Sequence, residues 1–136
     1  MDVRTVNPYY GSDKLGWALH SLERDLSYEF DILAFWITSE NEVYTAADSG
    51  CSCPTPFEGY EGTTPEEIKA KLTRVASLKQ ATELAQEWLG PVTRRIEERR
   101  GLAQKWENKI EPTLRALVKR RKLRRESHTA DILPGL

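Results

Sequence analysis

Alternation is the clearest pattern in the chain. Within residues 27–38, Tyr28, Phe30 and Ile32 point one way and Glu29 and Asp31 the other, the period-two pattern of a half-buried strand. From residue 33 to residue 37 the run becomes apolar on both faces. Residues 15–22 form a shorter candidate strand, with Trp17 and Leu19 on one face and Ala18, His20 and Leu22 on the other, closed by the polar turn Glu23-Arg24-Asp25. Ser39-Glu40-Asn41-Glu42 reads as a hairpin loop and residues 43–47 as the returning strand. The simplest result is a three-stranded antiparallel meander. Residues 48–59 are too rich in Gly and Pro for helix or central strand, which predicts an ordered loop or a wide turn.

Helix signals follow. Thr64-Pro65-Glu66-Glu67 is a capping box with proline at the first helical position, and Ser77-Leu78-Lys79-Gln80 is a second. Between them, residues 72–75 read either as a short strand or as the end of the first helix. Leu78, Ala81, Leu84, Ala85 and Trp88 recur at helical spacing until Gly90-Pro91 stops them. Pro91 can open a further long helix, because a first helical residue needs no amide hydrogen. Its heptad seam is Val92, Ile96, Arg99, Ala103, Trp106, Ile110, Thr113 and Leu117, interrupted by Gly101 and by Pro112, which predicts a kink or a restart after Glu111. The seam fails after Leu117, so the helix is expected to project into solvent, and residues 127–136 read as a frayed tail. The seam either packs on the open face of the sheet or zips to a second copy, a possible homodimer through the 92–117 helix.

These elements make an α+β protein: a small three-stranded antiparallel sheet covered by helices, with a long C-terminal helical arm. The length of 136 residues suits one modest core. Three segments are expected: an acidic α+β domain with a cysteine-proline loop (1–90), a basic helical arm (91–126) and a flexible tail (127–136). No apolar run approaches a membrane span, the start has none suited to a signal peptide, and two cysteines one residue apart cannot staple distant segments. No membrane contact and a reducing cytoplasm are expected.

Charge changes the picture. Residues 1–93 hold 7 Lys and Arg against 15 Asp and Glu, whereas residues 94–125 hold 13 against 4, so the net charge of −1 conceals a polarised chain. Arg115, Lys119, Arg120, Arg121, Lys122, Arg124 and Arg125 place seven cations in eleven positions. Such density attracts polyanions, or an acidic protein face, without specifying a base sequence. The bland alternative is a merely solvated run, or one lying against the acidic body. The aromatics Trp17, Tyr28, Phe30, Phe35, Trp36 and Tyr44 sit among Glu29, Asp31, Glu40 and Glu42, whose charge repels phosphate, so core packing accounts for them better than base stacking.

The segment Asp48-Ser49-Gly50-Cys51-Ser52-Cys53-Pro54-Thr55-Pro56-Phe57-Glu58 holds two cysteines and two prolines in eleven residues. With Tyr28-Glu29-Phe30-Asp31 and Tyr9-Tyr10, it resembles a family of small uncharacterised proteins encoded by bacteriophages of actinobacteria, over roughly residues 8–76. The resemblance implies no activity to carry over, but its phage setting implies a role inside an infected bacterium, in the host cytoplasm. Structurally, Asp48 is expected to cap local amides, Gly50 to permit a positive φ, Pro54 and Pro56 to fix the loop, Phe57 to plug it into the core, and Cys51 and Cys53 to behave as small buried hydrophobes. A nucleophilic cysteine requires His20 nearby, and a metal site has to combine Cys51, Cys53 and His20 with Asp48. Neither spacing is typical, so no catalytic residue, metal or cofactor is assigned. The reading is a non-catalytic phage accessory protein that binds DNA or RNA through the basic helix. The alternative is a factor that captures or inhibits a host protein through the sheet and cysteine loop, and a cysteine-dependent enzyme is the third.

Overall fold

The computed structural model describes residues 4–51, 55–91, 95–125 and 133, and only the backbone of residues 120–125. Its sheet is antiparallel with four strands in sequential order, β1 (Ala18–Glu23), β2 (Glu29–Ile37), β3 (Val43–Cys51) and β4 (Thr73–Arg74). The three-stranded expectation is corrected by one strand. Thr73 and Arg74 pair with Thr45 and Tyr44, and the Val75 amide donates to the Val43 carbonyl at 2.9 Å. Two residues are too few to show a period, so only the ladder partner makes them a strand.

β3 is longer than its composition suggests. Asp48, Ser49, Gly50 and Cys51, read as loop, continue the ladder opposite Ile32, Asp31, Phe30 and Glu29. The well-patterned β2 supplies their hydrogen bonds whatever their own propensity. Gly50 thus serves as a ladder residue, and the left-handed backbone of this region falls on Phe57, at φ 62°. β1 starts later than expected, because residues 12–15 form a 3₁₀ turn closed by Gly16 at φ 73°.

Both capping boxes form, each reaching one residue upstream of its cap. In α1 (Pro65–Lys71) the Thr64 hydroxyl accepts from the Glu67 amide, and the Glu67 carboxylate accepts from the Thr63 amide at 2.8 Å. In α2 (Leu78–Leu89) the Ser77 hydroxyl accepts from the Gln80 amide, and the Gln80 Oε1 accepts from the Ala76 amide. Gly90, at φ 72°, ends α2.

The remaining chain is one rod made of α3 (Ile96–Lys105), a π-helical turn (Trp106–Ile110) and α4 (Glu111–Arg125). Pro91 does not open it; the rod starts behind Arg95, whose φ is 46°. The expected seam is also shifted. Val92 lies outside the described residues, Ile96 is exposed, and the buried set is Leu102, Trp106, Ile110, Leu114, Leu117 and Val118. Steps of four overshoot a straight helix by about 40° each. The π turn inserts the extra residue that returns these side chains to one face. Its position just before Pro112 has a cause, since proline lacks an amide hydrogen and its ring crowds the carbonyl four residues back.

The sheet is covered on both sides. Leu33, Phe35 and Ile37 of β2, with Leu22 and Val43, pack against Ala81, Ala85 and Leu89 of α2 and against Trp106, Ile110 and Leu114 of the rod. On the other face, Ile32, Ala34 and Trp36 meet Trp17, Phe57, Ile68 and Leu72. The Trp36 indole donates to the Pro8 carbonyl at 2.9 Å, and the buried Thr45 hydroxyl donates to the Ala34 carbonyl at 2.8 Å. As far as Val118 the basic rod is therefore a wall of the core, its apolar side packed against the sheet. Leu133, in the stretch read as a frayed tail, is fully buried in the same cluster. Among the described residues, no helix is long and apolar enough to cross a membrane.

Leu114→Ala is expected to cost about 2–5 kcal/mol in urea-induced unfolding, as for a core leucine. A near-zero cost would mean that the rod is not docked.

Candidate functional site

The segments that carry the family resemblance meet at the open end of the β2–β3 ladder, where Glu29 faces Cys51 and Phe30 faces Gly50. One Asp48 carboxylate oxygen accepts from the Phe57 amide at 2.7 Å and the other from the Ser49 amide at 3.1 Å. Phe57 is fully buried, stacked on Tyr9 at 5.2 Å between centroids and edge-on to Trp36. The Asn7 side chain donates to the Pro56 carbonyl at 2.9 Å, fixing the loop from its other side. Asp48, Pro56 and Phe57 thus form a packed plug. Cys53 and Pro54 lie outside the described residues.

Cys51 is not the buried apolar residue expected: at the end of β3, where the ladder stops, its free thiol is exposed. His20 stands opposite Phe35, on the far side of β2 and six ladder positions from Glu29. At about 3.3 Å per residue the two are some 20 Å apart along the strands, with two strand spacings between them. The structure does not bring His20 and Cys51 together, and no group of three His, Cys, Asp or Glu able to hold a metal occurs among the described residues.

A polar junction that the sequence did not signal ties the acidic half to the rod. The Arg24 guanidinium pairs with Asp31 at 2.9 Å, lies over the Trp88 ring, and donates to the carbonyls of Trp88 and Leu89 at the end of α2. The Trp88 indole donates to the second Asp31 oxygen at 3.0 Å. Next to it, the Asp25 amide donates to the Glu98 carboxylate at 2.9 Å, Arg95 donates to the Asp25 carbonyl, and Arg99 donates to the Gly90 carbonyl. Arg24 and Asp25 read as an ordinary polar turn, and Asp31 as a solvent-facing alternation. Only the arrival of α2 and the rod gives them partners.

The basic end is the remaining candidate. Arg115 is exposed and held by Glu111 one turn earlier, at 2.6 Å. Lys119 is exposed and follows Val118, the last described core position of α4. The backbone of Arg120, Arg121, Lys122, Arg124 and Arg125 continues α4, and their side chains lie outside the described residues. Earlier on the rod, Arg95 and Arg100 pair with Glu98 and Glu97. Lys105, Lys109 and Lys119 carry no ion pair among the described residues. Lys105 and Lys109 each precede a core residue, Trp106 or Ile110, and so share one flank; Glu107, Glu111, Arg115 and Lys119 each follow one and share the opposite flank. The first flank faces β1, where burial and then the charge of Lys105 lower the pKa of His20 from 6.5.

The chain belongs to the family described as Domain of unknown function (DUF7574), whose model matches residues 7–120. The match takes in the sheet and most of the rod, well past the limit near residue 76 set by the resemblance. No curated protein and no solved structure matches the chain.

Two outcomes are expected here. The folded protein resists protonating His20 while the unfolded chain accepts a proton near 6.5, so stability is complete above that pH and declines as pH falls toward the depressed folded value. Thermal melts from about pH 7.5 to about 5.5 should therefore show a steeper loss for the parent than for His20→Gln. Asp48→Ala should cost about 1.5–3 kcal/mol through the lost charged hydrogen bonds, whereas Cys51→Ala should stay within about 0.5 kcal/mol, both read by urea titration.

Proposed function

We propose that this protein binds nucleic acid, DNA or RNA, without sequence preference, through the cationic end of α4: Arg115, Lys119, Arg120, Arg121, Lys122, Arg124 and Arg125. One observation carries the reading. The described core contact of α4 ends at Val118 while its backbone stays helical to Arg125, and the seven residues from 119 to 125 include six cations. A helical run of this cationic density neutralises phosphates and releases their counterions, which supplies affinity but no base readout.

The role is that of a non-catalytic accessory protein. The phage setting implied by the Asp48–Glu58 segment and its companions puts it in the cytoplasm of an infected bacterium. Capture of a host protein by the sheet is less well supported, because both sheet faces are covered and the loop residues Asp48 and Phe57 are engaged in packing.

Fluorescence anisotropy with labelled duplex and single-stranded oligonucleotides tests this at two salt concentrations. With six or seven phosphate contacts, affinity should fall about a thousandfold between roughly 50 and 200 mM salt. Replacing the seven cations by Gln should abolish binding. Absence of binding at the lower salt, or binding indifferent to both salt and the replacement, overturns the reading.

A further inference from the structure

Building on the nucleic-acid reading above, we infer that the binding surface runs from the end of α4 back along the β1 flank of the rod, through Lys109 and Lys105 to His20, so that the protein lies along about one turn of duplex.

Three observations point there. First, the cations of this flank are available. Lys105 and Lys109 are exposed and without ion pairs among the described residues, whereas Arg95 and Arg100 are matched by carboxylates and Arg99 is engaged by the Gly90 carbonyl.

Second, among the described residues no carboxylate pairs with them. The face of β1 turned to the rod carries Ala18, His20 and Leu22, while Glu23 points to the other face of the sheet. Glu98, the acidic residue nearest along this flank, is already engaged by the Asp25 amide and Arg95. His20 lies within reach of this charge, and burial and then Lys105 lower its pKa. On the opposite flank Glu107 and Glu111 precede Arg115 and Lys119, so over residues 105–111 the carboxylates repel phosphate and favour the β1 side.

Third, the dimensions suit a duplex. At 1.5 Å per residue, residues 105–125 span about 30 Å, or about nine base pairs at 3.4 Å each. Residues 119–125 alone span about 9 Å, or under three base pairs.

The decisive experiment compares the salt dependence of duplex binding by the parent, the double variant Lys105→Gln/Lys109→Gln and the seven-cation variant. Lys71→Gln, on the far side of the sheet, serves as a control. Losing two phosphate contacts should flatten the slope of log K against log salt by about 1.8 and weaken binding about tenfold or more at moderate salt, while the control leaves the slope unchanged. Both lysines are exposed, so melting temperatures should be unaltered. The parent alone provides a second readout, because the His20 ring resonances should shift when duplex is added. An unchanged slope in the double variant, or unmoved His20 resonances in a parent that binds, overturns the extended surface while leaving the α4 end intact as the site. If the parent shows no salt-dependent binding, the nucleic-acid reading itself falls, and the extension falls with it.

Discussion

Six consecutive buried residues in β2, Ile32 to Ile37, impose the constraint on which the architecture rests. A strand apolar on one face can border water, but one apolar on both must be central and needs two covers. On one side the cover is α2 and the rod, with Phe35 against Trp106 at 5.4 Å between centroids. On the other side it is the N-terminal segment, α1 and the turn that carries Phe57. Phe57 accepts an unusual left-handed backbone because its amide is held by Asp48 and its ring is locked among Tyr9, Trp36 and Tyr60.

Charge polarity along the chain is not a division into an acidic body and a separate basic arm. The rod takes part in the same hydrophobic cluster as β2, and the Arg24–Asp31–Trp88 junction, with Asp25, Glu98 and Arg99 beside it, holds the two halves in register. Arg24 also satisfies carbonyls that the end of α2 leaves open, a task usual for a cation at a helix C-terminus. One helix thus serves two purposes on two sides. Leu102, Trp106, Ile110 and Leu114 close the core, while Lys105, Lys109 and Lys119 face solvent. The π turn reconciles them, because it keeps apolar steps of four on the core side without sacrificing the helix before Pro112.

What the amino-acid order determined by itself is local. The alternation of β2, the capping boxes at Thr64 and Ser77, the stop at Gly90 and the cationic density from Arg115 to Arg125 depend on neighbours a few residues apart, and each was legible. The Asp48 cap and the Phe57 plug were legible too, since a short acid and a lone aromatic in a proline-bound loop have few other uses. Tertiary structure alone decided the rest. β4 exists because β3 lies beside it, Asp48 to Cys51 are strand because β2 offers a ladder, and His20 lies in the field of Lys105, far from Cys51, because of where the rod crosses β1. The shift of the seam from Ile96, Ala103 and Thr113 to Leu102 and Leu114 came from a π turn that a heptad count cannot represent. Partners distant in sequence leave no period to read, and burial against them outweighs the fraction of a kilocalorie per mole that local propensity contributes.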